Sequence, residues 1–170
     1  RKFAPRHQVS LTGGLEFPTS TIEYGPEGQP LTLEFQAGTG SWDPIAGASY
    51  TMFINPWSVY VASVAIFPTT GIADTRASQS FRQTVLGQYQ PWSFLAFQLG
   101  AEFRIDGPGY IGGVRDPNTG GNITYGTLGI VGLPHEKLMV HATAALPMIQ
   151  RLDGTHREGF AFTAGLVYDI

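Results

Sequence analysis

The final segment of the chain, Gly159–Ile170, alternates between apolar side chains and small or polar ones. Phe160, Phe162, Leu166 and Tyr168 fall on one side of an extended strand, and Thr163, Gly165 and Asp169 fall on the other. A period of two is typical of a β-strand, because successive side chains point to opposite faces of the sheet. The apolar face would point inward in a soluble sandwich and into lipid in an outer-membrane barrel. Whether this apolar face points inward or outward therefore decides between a soluble protein and a membrane protein.

The composition favours strands over helices and excludes several classes of protein. Charged residues make up 14% of the chain, against roughly 25% in an average soluble protein. The 22 Gly, 12 Pro, 11 Phe and 7 Tyr suit many strands joined by turns. A net charge of −3 without a basic run disfavours nucleic-acid binding. The absence of cysteine excludes disulfides, thiolate zinc sites and covalently attached c-type haem.

The apolar segments are too short for a helical membrane protein. The longest apolar run, Val59–Phe67, falls far short of the roughly 20 residues that a transmembrane helix needs, whereas a transmembrane strand needs only about 9–11. The chain begins at Arg1 without a visible signal peptide, so we interpret it as a mature or truncated product. We expect one β-barrel domain over residues 1–170, or the C-terminal part of a larger barrel.

The alternation recurs along the whole chain. The stretch Gly38–Pro44 is predicted to be a bulge or tight turn. Ile123–Leu133 is glycine-rich, and its pattern leaves its facing open. The predicted strands are Val9–Phe17, Leu31–Ala37, Gly47–Ile54, Val59–Phe67, Phe81–Gln90, Phe94–Ile105, Ile123–Leu133, Leu138–Leu146 and Gly159–Ile170.

The predicted connections alternate between short and long. The short ones are Asn55–Trp57, Gln90–Ser93 and Pro134–Glu136, and the long ones are Pro18–Pro30, Pro68–Ser80, Asp106–Asn122 and Pro147–Glu158. Short turns at one rim and long loops at the other are typical of outer-membrane barrels. Trp57 and Trp92 lie beside short turns and, with Tyr168, are predicted to form an aromatic girdle at the membrane interface.

These patterns predict an all-β fold, an antiparallel up-and-down transmembrane β-barrel of about eight or more strands. The alternatives are an antiparallel sandwich and a soluble barrel. Lys and Arg are nearly absent from the strand faces, and aromatic residues lie at both ends of the apolar faces. Both features favour the membrane barrel. The residues predicted to face lipid are Leu95, Phe97, Leu99, Phe103, Val140, Phe160, Phe162, Leu166 and Tyr168.

Three segments carry a family resemblance. They are GTGSWDPIAGASY at Gly38–Tyr50, DPNTGGNITYGTLGI at Asp116–Ile130 and LPMIQRLDGTHREGFAFTAGLVYDI at Leu146–Ile170. In this order they resemble segments of a family of Gram-negative outer-membrane proteins that are labelled transporters or the phenol-degradation meta-pathway type. The resemblance implies a porin-like barrel in the bacterial outer membrane and a role in transport. Members usually have more N-terminal strands, and an outer-membrane strand usually ends in Phe where this chain ends in Ile170.

Polar residues on the strand faces are predicted to line a barrel lumen. Glu102 and Arg104 are two positions apart and therefore point the same way. Buried charges must be paired, so the plain interpretation is a structural network that fills the interior. The alternative is a constriction with charges of both signs that tunes solute passage. The full predicted set is Glu16, Arg82, Gln88, Gln98, Glu102, Arg104, His141, Thr143, Thr163 and Asp169.

The sequence offers no support for catalysis or for a cofactor. His135 and His141 are separated by most of a strand, so they do not converge as metal ligands would. Asp106 and Asp116 share a loop with asparagines that could bind Ca²⁺, but their spacing fits turn formation better. No nucleophile elbow and no phosphate-binding glycine loop is present. We therefore predict no catalytic residue, no metal and no cofactor.

Three functions follow from this interpretation. The first is an outer-membrane channel or transporter for small solutes, with hydrophobic solutes among them. The second is a non-transporting membrane scaffold or anchor for a partner protein complex, since about eight strands leave an interior that side chains nearly fill. The third is a soluble β-barrel that binds an apolar ligand. The expected partners are membrane lipid, a small solute and a protein partner or second copy of the chain, but no nucleic acid.

Overall fold

The computed structural model describes residues 6–19, 23–28 and 38–169, so the predicted strand Leu31–Ala37 lies outside the described residues. None of the described residues belongs to a helix long and apolar enough to cross a membrane. The strands that the described residues form are β1 (Arg6–Glu16), β2 (Asp43–Ile54), β3 (Trp57–Ile66), β4 (Ser80–Trp92), β5 (Leu95–Asp106), β6 (Tyr110–Ile111), β7 (Val114–Arg115), β8 (Gly121–His135), β9 (Leu138–Leu152) and β10 (Ala161–Tyr168).

Eight of these strands form one antiparallel sheet in the order β1-β2-β3-β4-β5-β8-β9-β10. Each strand pairs with its neighbours in the chain, apart from β6 and β7, which form a small hairpin within the connection from β5 to β8. The predicted all-β, antiparallel, up-and-down arrangement is therefore confirmed. In the described part of the chain β1 pairs only with β2 and β10 only with β9. Over the described residues the sheet is open, and its predicted closure into a barrel is not confirmed.

The register of the sheet separates an apolar face from a polar face. Residues directly opposite each other in an antiparallel pair share a face. Phe97 of β5 lies opposite Tyr89 of β4 and Ile130 of β8, and these residues define the apolar face. The adjacent Gln98 lies opposite Gln88, and these two define the polar face. The pairing of the strands therefore keeps the apolar residues of neighbouring strands on the same face.

The apolar face is the exposed one. Leu99 is 66% exposed and Leu166 is 65% exposed, whereas Ile123 on the polar face is fully buried at 0%. Ala96 and Tyr125, the other buried apolar residues, also lie on the polar face. Large apolar side chains gain free energy when they leave water, so exposure of this face to water would be unfavourable. The exposed residues among those predicted to face lipid are Phe97, Leu99, Val140, Phe160, Phe162, Leu166 and Tyr168, whereas Leu95 and Phe103 are half-buried.

The structure resolves the facing of β8, which the sequence left open. Ile123 pairs with Arg104 and Tyr125 pairs with Glu102, so both lie on the polar face. Leu128 lies opposite Leu99 on the apolar face.

The connections differ in length at the two ends of the sheet, as predicted. Residues 55–56, 93–94 and 136–137 form two-residue connections at one end, which we call the short-turn end. The connections at the opposite end, the long-loop end, include residues 67–79, 107–120 and 153–160.

Several strand ends differ from the prediction, because prolines that were interpreted as turns lie inside strands. β2 already begins at Asp43, β8 runs through Pro134, and β9 runs through Pro147 to Leu152. The ladder between β8 and β9 shifts register beside both of these prolines. A proline cannot donate a ladder hydrogen bond and is tolerated where the pairing is irregular. The predicted turns Gln90–Ser93 and Pro134–Glu136 and the predicted loop Pro147–Glu158 were therefore wrong in their first residues.

Candidate functional site: a charged cluster on the polar face

Most of the residues predicted to line a lumen share the polar face. Glu16 lies on this face at the long-loop end of β1 and is exposed. Asp169 follows β10, and its backbone N–H donates to the Lys137 carbonyl, 2.9 Å away, so it lies at the short-turn end beyond the strand. The predicted residues that the register places on the polar face of β4, β5, β9 and β10 are Arg82, Gln88, Gln98, Glu102, Arg104, His141, Thr143 and Thr163.

Two arginines of the charged cluster lie near the long-loop end. Arg82 and Arg104 lie directly opposite each other on β4 and β5. Like charges in this relation destabilise a sheet unless acids compensate them. The Nε of Arg82 lies 3.3 Å from a carboxylate oxygen of Glu102, which forms the first compensating pair.

Arg104 is compensated by two different acids. Its Nε donates a hydrogen bond to Asp106 over 2.8 Å, and its two terminal nitrogens donate to the two carboxylate oxygens of Glu158. Asp106 also accepts a hydrogen bond of 2.7 Å from the hydroxyl of Ser80. A guanidinium that engages a carboxylate through two parallel hydrogen bonds is held in both position and orientation. Arg104 therefore links β4, β5 and the connection between β9 and β10.

Glu158 brings this connection onto the polar face. The Gln150 side chain binds the backbone of Glu158 twice: it donates to the carbonyl over 2.8 Å and accepts from the N–H over 3.0 Å. The hydroxyl of Tyr125 donates to the Glu158 carboxylate. Residues 153–160 are thus fixed against β8 and β9 at their C-terminal end.

The electrostatic surroundings keep Glu158 ionised. Burial of the carboxylate would by itself raise the pKa of Glu158, but hydrogen bonds from Arg104 and Tyr125 and the nearby charges of Arg104 and His156 outweigh burial and lower that pKa below its ordinary value. The carboxylate is therefore an anion at neutral pH.

Glycines make room for polar side chains further toward the short-turn end. The Gln98 amide donates to the Gln88 carbonyl oxygen over 2.9 Å. A Cβ at Gly129 would lie 2.7 Å from the Gln98 side chain, and a Cβ at Gly165 would overlap the ring of His141. Gly129 and Gly165 therefore let the longer side chains of neighbouring strands lie across the polar face.

The predicted girdle residues lie on the apolar face at the short-turn end. The rings of Trp57 and Tyr89 have centroids 4.4 Å apart, and those of Trp92 and Phe94 are 6.0 Å apart. Tyr168 pairs with Leu138 at the beginning of β9. The three predicted residues share one rim, and Tyr89 and Phe94 extend their aromatic contacts.

The acidic loop between β5 and β8 is built as a turn. Asp116 accepts a hydrogen bond of 2.9 Å from the Asn118 backbone, and Asp106 contacts Arg104 and Ser80 instead of the loop. Over residues 6–19, 23–28 and 38–169, no three His, Cys, Asp or Glu side chains are placed to hold a metal ion.

Sequence reasoning missed the residues that complete the cluster. Glu158 was assigned to a loop without a role, Gln150 to the same loop, and Tyr125 to a strand of open facing. The available signal was charge balance, because Arg82 and Arg104 share the polar face of β4 and β5 with Glu102 as the predicted acid. Asp106, two residues after Arg104, supplies a further acid of this face, although the sequence pattern places it in a loop. Nothing local identified Glu158.

The fold and the cluster define a class of protein: an up-and-down antiparallel sheet with an exposed apolar face and a polar face that carries paired charges. No protein-family model matches the chain, and no curated protein matches it. The fold is similar to the crystal structure of an outer-membrane channel from Pseudomonas putida F1, with a TM-score of 0.69 and 15% identity. The similar region covers 95% of this chain and 59% of the channel, so the chain spans little more than half of the channel's length.

Proposed function

We propose that the chain forms all or part of a β-barrel in the bacterial outer membrane and acts as a channel or transporter for small solutes, hydrophobic ones included. The observation that carries this proposal is the inverted polarity of the sheet. Phe162 and Leu166 are 64% and 65% exposed, while the charged cluster lies on the face with the buried residues. A soluble barrel that binds an apolar ligand would need the opposite arrangement.

Closure of the sheet is the second part of the proposal. Hydrocarbon offers no hydrogen-bond partners, so every strand in a membrane must be paired on both sides. The chain order and antiparallel pairing make β1 and β10 run in opposite directions, with Arg6 and Tyr168 both at the short-turn end. The two edges can therefore pair with each other, or each can pair with a further strand. Both routes give an antiparallel barrel.

The charged cluster is the proposed constriction. Arg82, Arg104, Glu102 and Glu158 bring charges of both signs to one level of the polar face. In a closed barrel, such a cluster of charges would select among small solutes, and the position of Glu158 over the polar face would narrow the passage. The proposal includes no catalytic residue, metal or cofactor, and its partners are lipid and the passing solute.

Single-channel recording tests the proposal. Purified protein in a planar bilayer should give discrete conductance steps. Arg82→Gln should shift the ion selectivity toward cations, and Glu102→Gln should shift it toward anions, because each removes one sign of charge from the constriction. Lys137→Gln, in the exposed turn at the opposite end, is the matched control and should change selectivity less.

Two results would count against a channel. If neither the wild type nor Glu158→Gln gives conductance steps although both are inserted in membranes, the protein is a closed scaffold. If the protein stays monomeric and soluble without detergent, the membrane location itself is wrong.

A further inference from the structure

A cavity of about 580 Å³ lies beside the charged cluster, between the end of β9 and the loop that leads to β10. β10 begins at Ala161, which pairs with Ala145, whereas β9 continues to Leu152. The last part of β9 therefore has no β10 partner, and residues 153–160 cover that edge instead. The cavity is the space that this mismatch in strand length leaves.

The cavity carries positive charge that none of the acids in the described part of the chain compensates. Arg151 of β9 and Arg157 of the loop both line it and are exposed. Neither arginine forms a salt bridge within the described part of the chain, in contrast to Arg82 and Arg104. The adjacent Glu158 is engaged by Arg104. Two guanidinium groups therefore remain available in a chain whose net charge is −3.

The walls of the cavity are held before any ligand binds. At one end of the loop, the Asp153 N–H donates to the Gly120 carbonyl over 3.1 Å, and the Asp153 carboxylate accepts from Arg115 over 3.0 Å. At the other end, Gln150 binds the backbone of Glu158. A preformed site avoids the entropy cost of ordering its loop on binding.

We propose that this cavity binds a phosphate-bearing anion, held by Arg151 and Arg157. Arginine is suited to this role because its planar fork of N–H donors matches the oxygen geometry of phosphate. His156 and Thr155 also line the cavity and supply further polar contacts. The phosphate can belong to the headgroup of a membrane lipid or to a free phosphorylated solute. Binding itself does not depend on the proposed channel activity.

Calorimetric titration with inorganic phosphate tests the site in protein purified in a non-ionic detergent. The wild type should bind saturably, and Arg151→Gln/Arg157→Gln should bind more than about tenfold more weakly, because the charge-assisted hydrogen bonds of both guanidinium groups to the anion are lost. Arg76→Gln is the matched control, since Arg76 stacks on Tyr110, 4.5 Å from the ring centroid, and does not line the cavity. It should bind phosphate as the wild type does.

Titration with lipopolysaccharide that carries or lacks its lipid A phosphates distinguishes a lipid headgroup from a free phosphorylated solute. A preference for the phosphorylated form that the double variant loses indicates a lipid headgroup. Binding of free phosphate without that preference indicates a soluble anion, and both results support the site. Equal phosphate affinity in the wild type and the double variant, or no binding by the wild type, would overturn it. If the double variant fails to fold, Arg157→Gln in the loop provides the same comparison.

Discussion

The carboxylate of Glu158 lies against the guanidinium of Arg104, although the two residues are 54 positions apart in the chain. The contact joins the connection that precedes β10 to the middle of the sheet. It also places an anion from a loop within a face that otherwise consists of strand residues. A substitution of Glu158 alone therefore tests this contact without changing the pairing of the strands.

Glu158→Gln should loosen the loop between β9 and β10. The change removes the anion that Arg104 and Tyr125 engage, and the expected loss in the free energy of unfolding is about 1–3 kcal/mol. Trypsin should then cleave the folded protein after Arg157 faster than in the wild type, when each rate is divided by the rate for the same bond in the unfolded protein, because residue 158 is itself next to the cut bond. Glu136→Gln, in the exposed turn between β8 and β9, is the control and should leave the rate unchanged. Equal cleavage rates in Glu158→Gln and the wild type would contradict the role assigned to this contact.

Acid should release the same loop. Because the pKa of Glu158 is lowered in the folded protein, its contribution to stability is fully present above the ordinary glutamate pKa of about 4.3 and is lost as the pH falls through the lowered value. Hydrogen exchange at the Glu158 amide should therefore stay protected, relative to its intrinsic rate, from neutral pH down to about 5 and lose this protection only at lower pH. In Glu158→Gln this change with pH should be absent. A loss of protection between pH 7 and 6 would point to a different titrating group.

Leu99→Arg should impair assembly in a membrane. Leu99 is 66% exposed on the apolar face, and an arginine there would face lipid. The expected cost is roughly 2–4 kcal/mol near the bilayer midplane. The adjacent Gln98→Arg lies on the polar face and should cost less. Heat-modifiable gel mobility after folding into vesicles measures both, and equal effects would contradict the assigned faces.

Gly165→Ala should destabilise the pairing of β9 and β10. The new methyl group would overlap the His141 ring, so one of the two must move, at an expected cost of about 1–3 kcal/mol. Adding His141→Ala to Gly165→Ala should restore most of the lost stability. Gly13→Ala on β1 is the control, because nothing lies within 4 Å of a Cβ at that position. Thermal unfolding of the wild type and the three variants gives the comparison, and a double variant no more stable than Gly165→Ala would contradict this contact.

The local pattern of the sequence predicted the strands and their faces well. In β5 the alternation of Phe97 and Leu99 with Gln98 was sufficient to assign both faces, because the strand repeat depends only on neighbouring residues. The prediction of strand ends was wrong at prolines, because these residues were interpreted as turns. Pro134 and Pro147 lie at irregular positions of the ladder between β8 and β9, and that irregularity depends on the partner strand as much as on the proline.

The charged cluster could be predicted only in part. Arg82, Glu102 and Arg104 follow from position on a strand, but the sequence does not say which acid each arginine engages. The structure pairs Arg82 with Glu102 and directs Arg104 to Asp106 and Glu158. This choice depends on the path of a loop, and a loop has no periodicity from which its path can be read.

The sequence by itself determined that this chain forms amphipathic strands with their large apolar residues on one side, because that property lies in the order of adjacent side chains. Only the tertiary structure decided that the apolar side is exposed, that β9 extends beyond the beginning of β10, and that Glu158 lies over the polar face. These features arise from contacts between residues far apart in the chain. Their free energy depends on strand register and loop path, which no short stretch of sequence specifies.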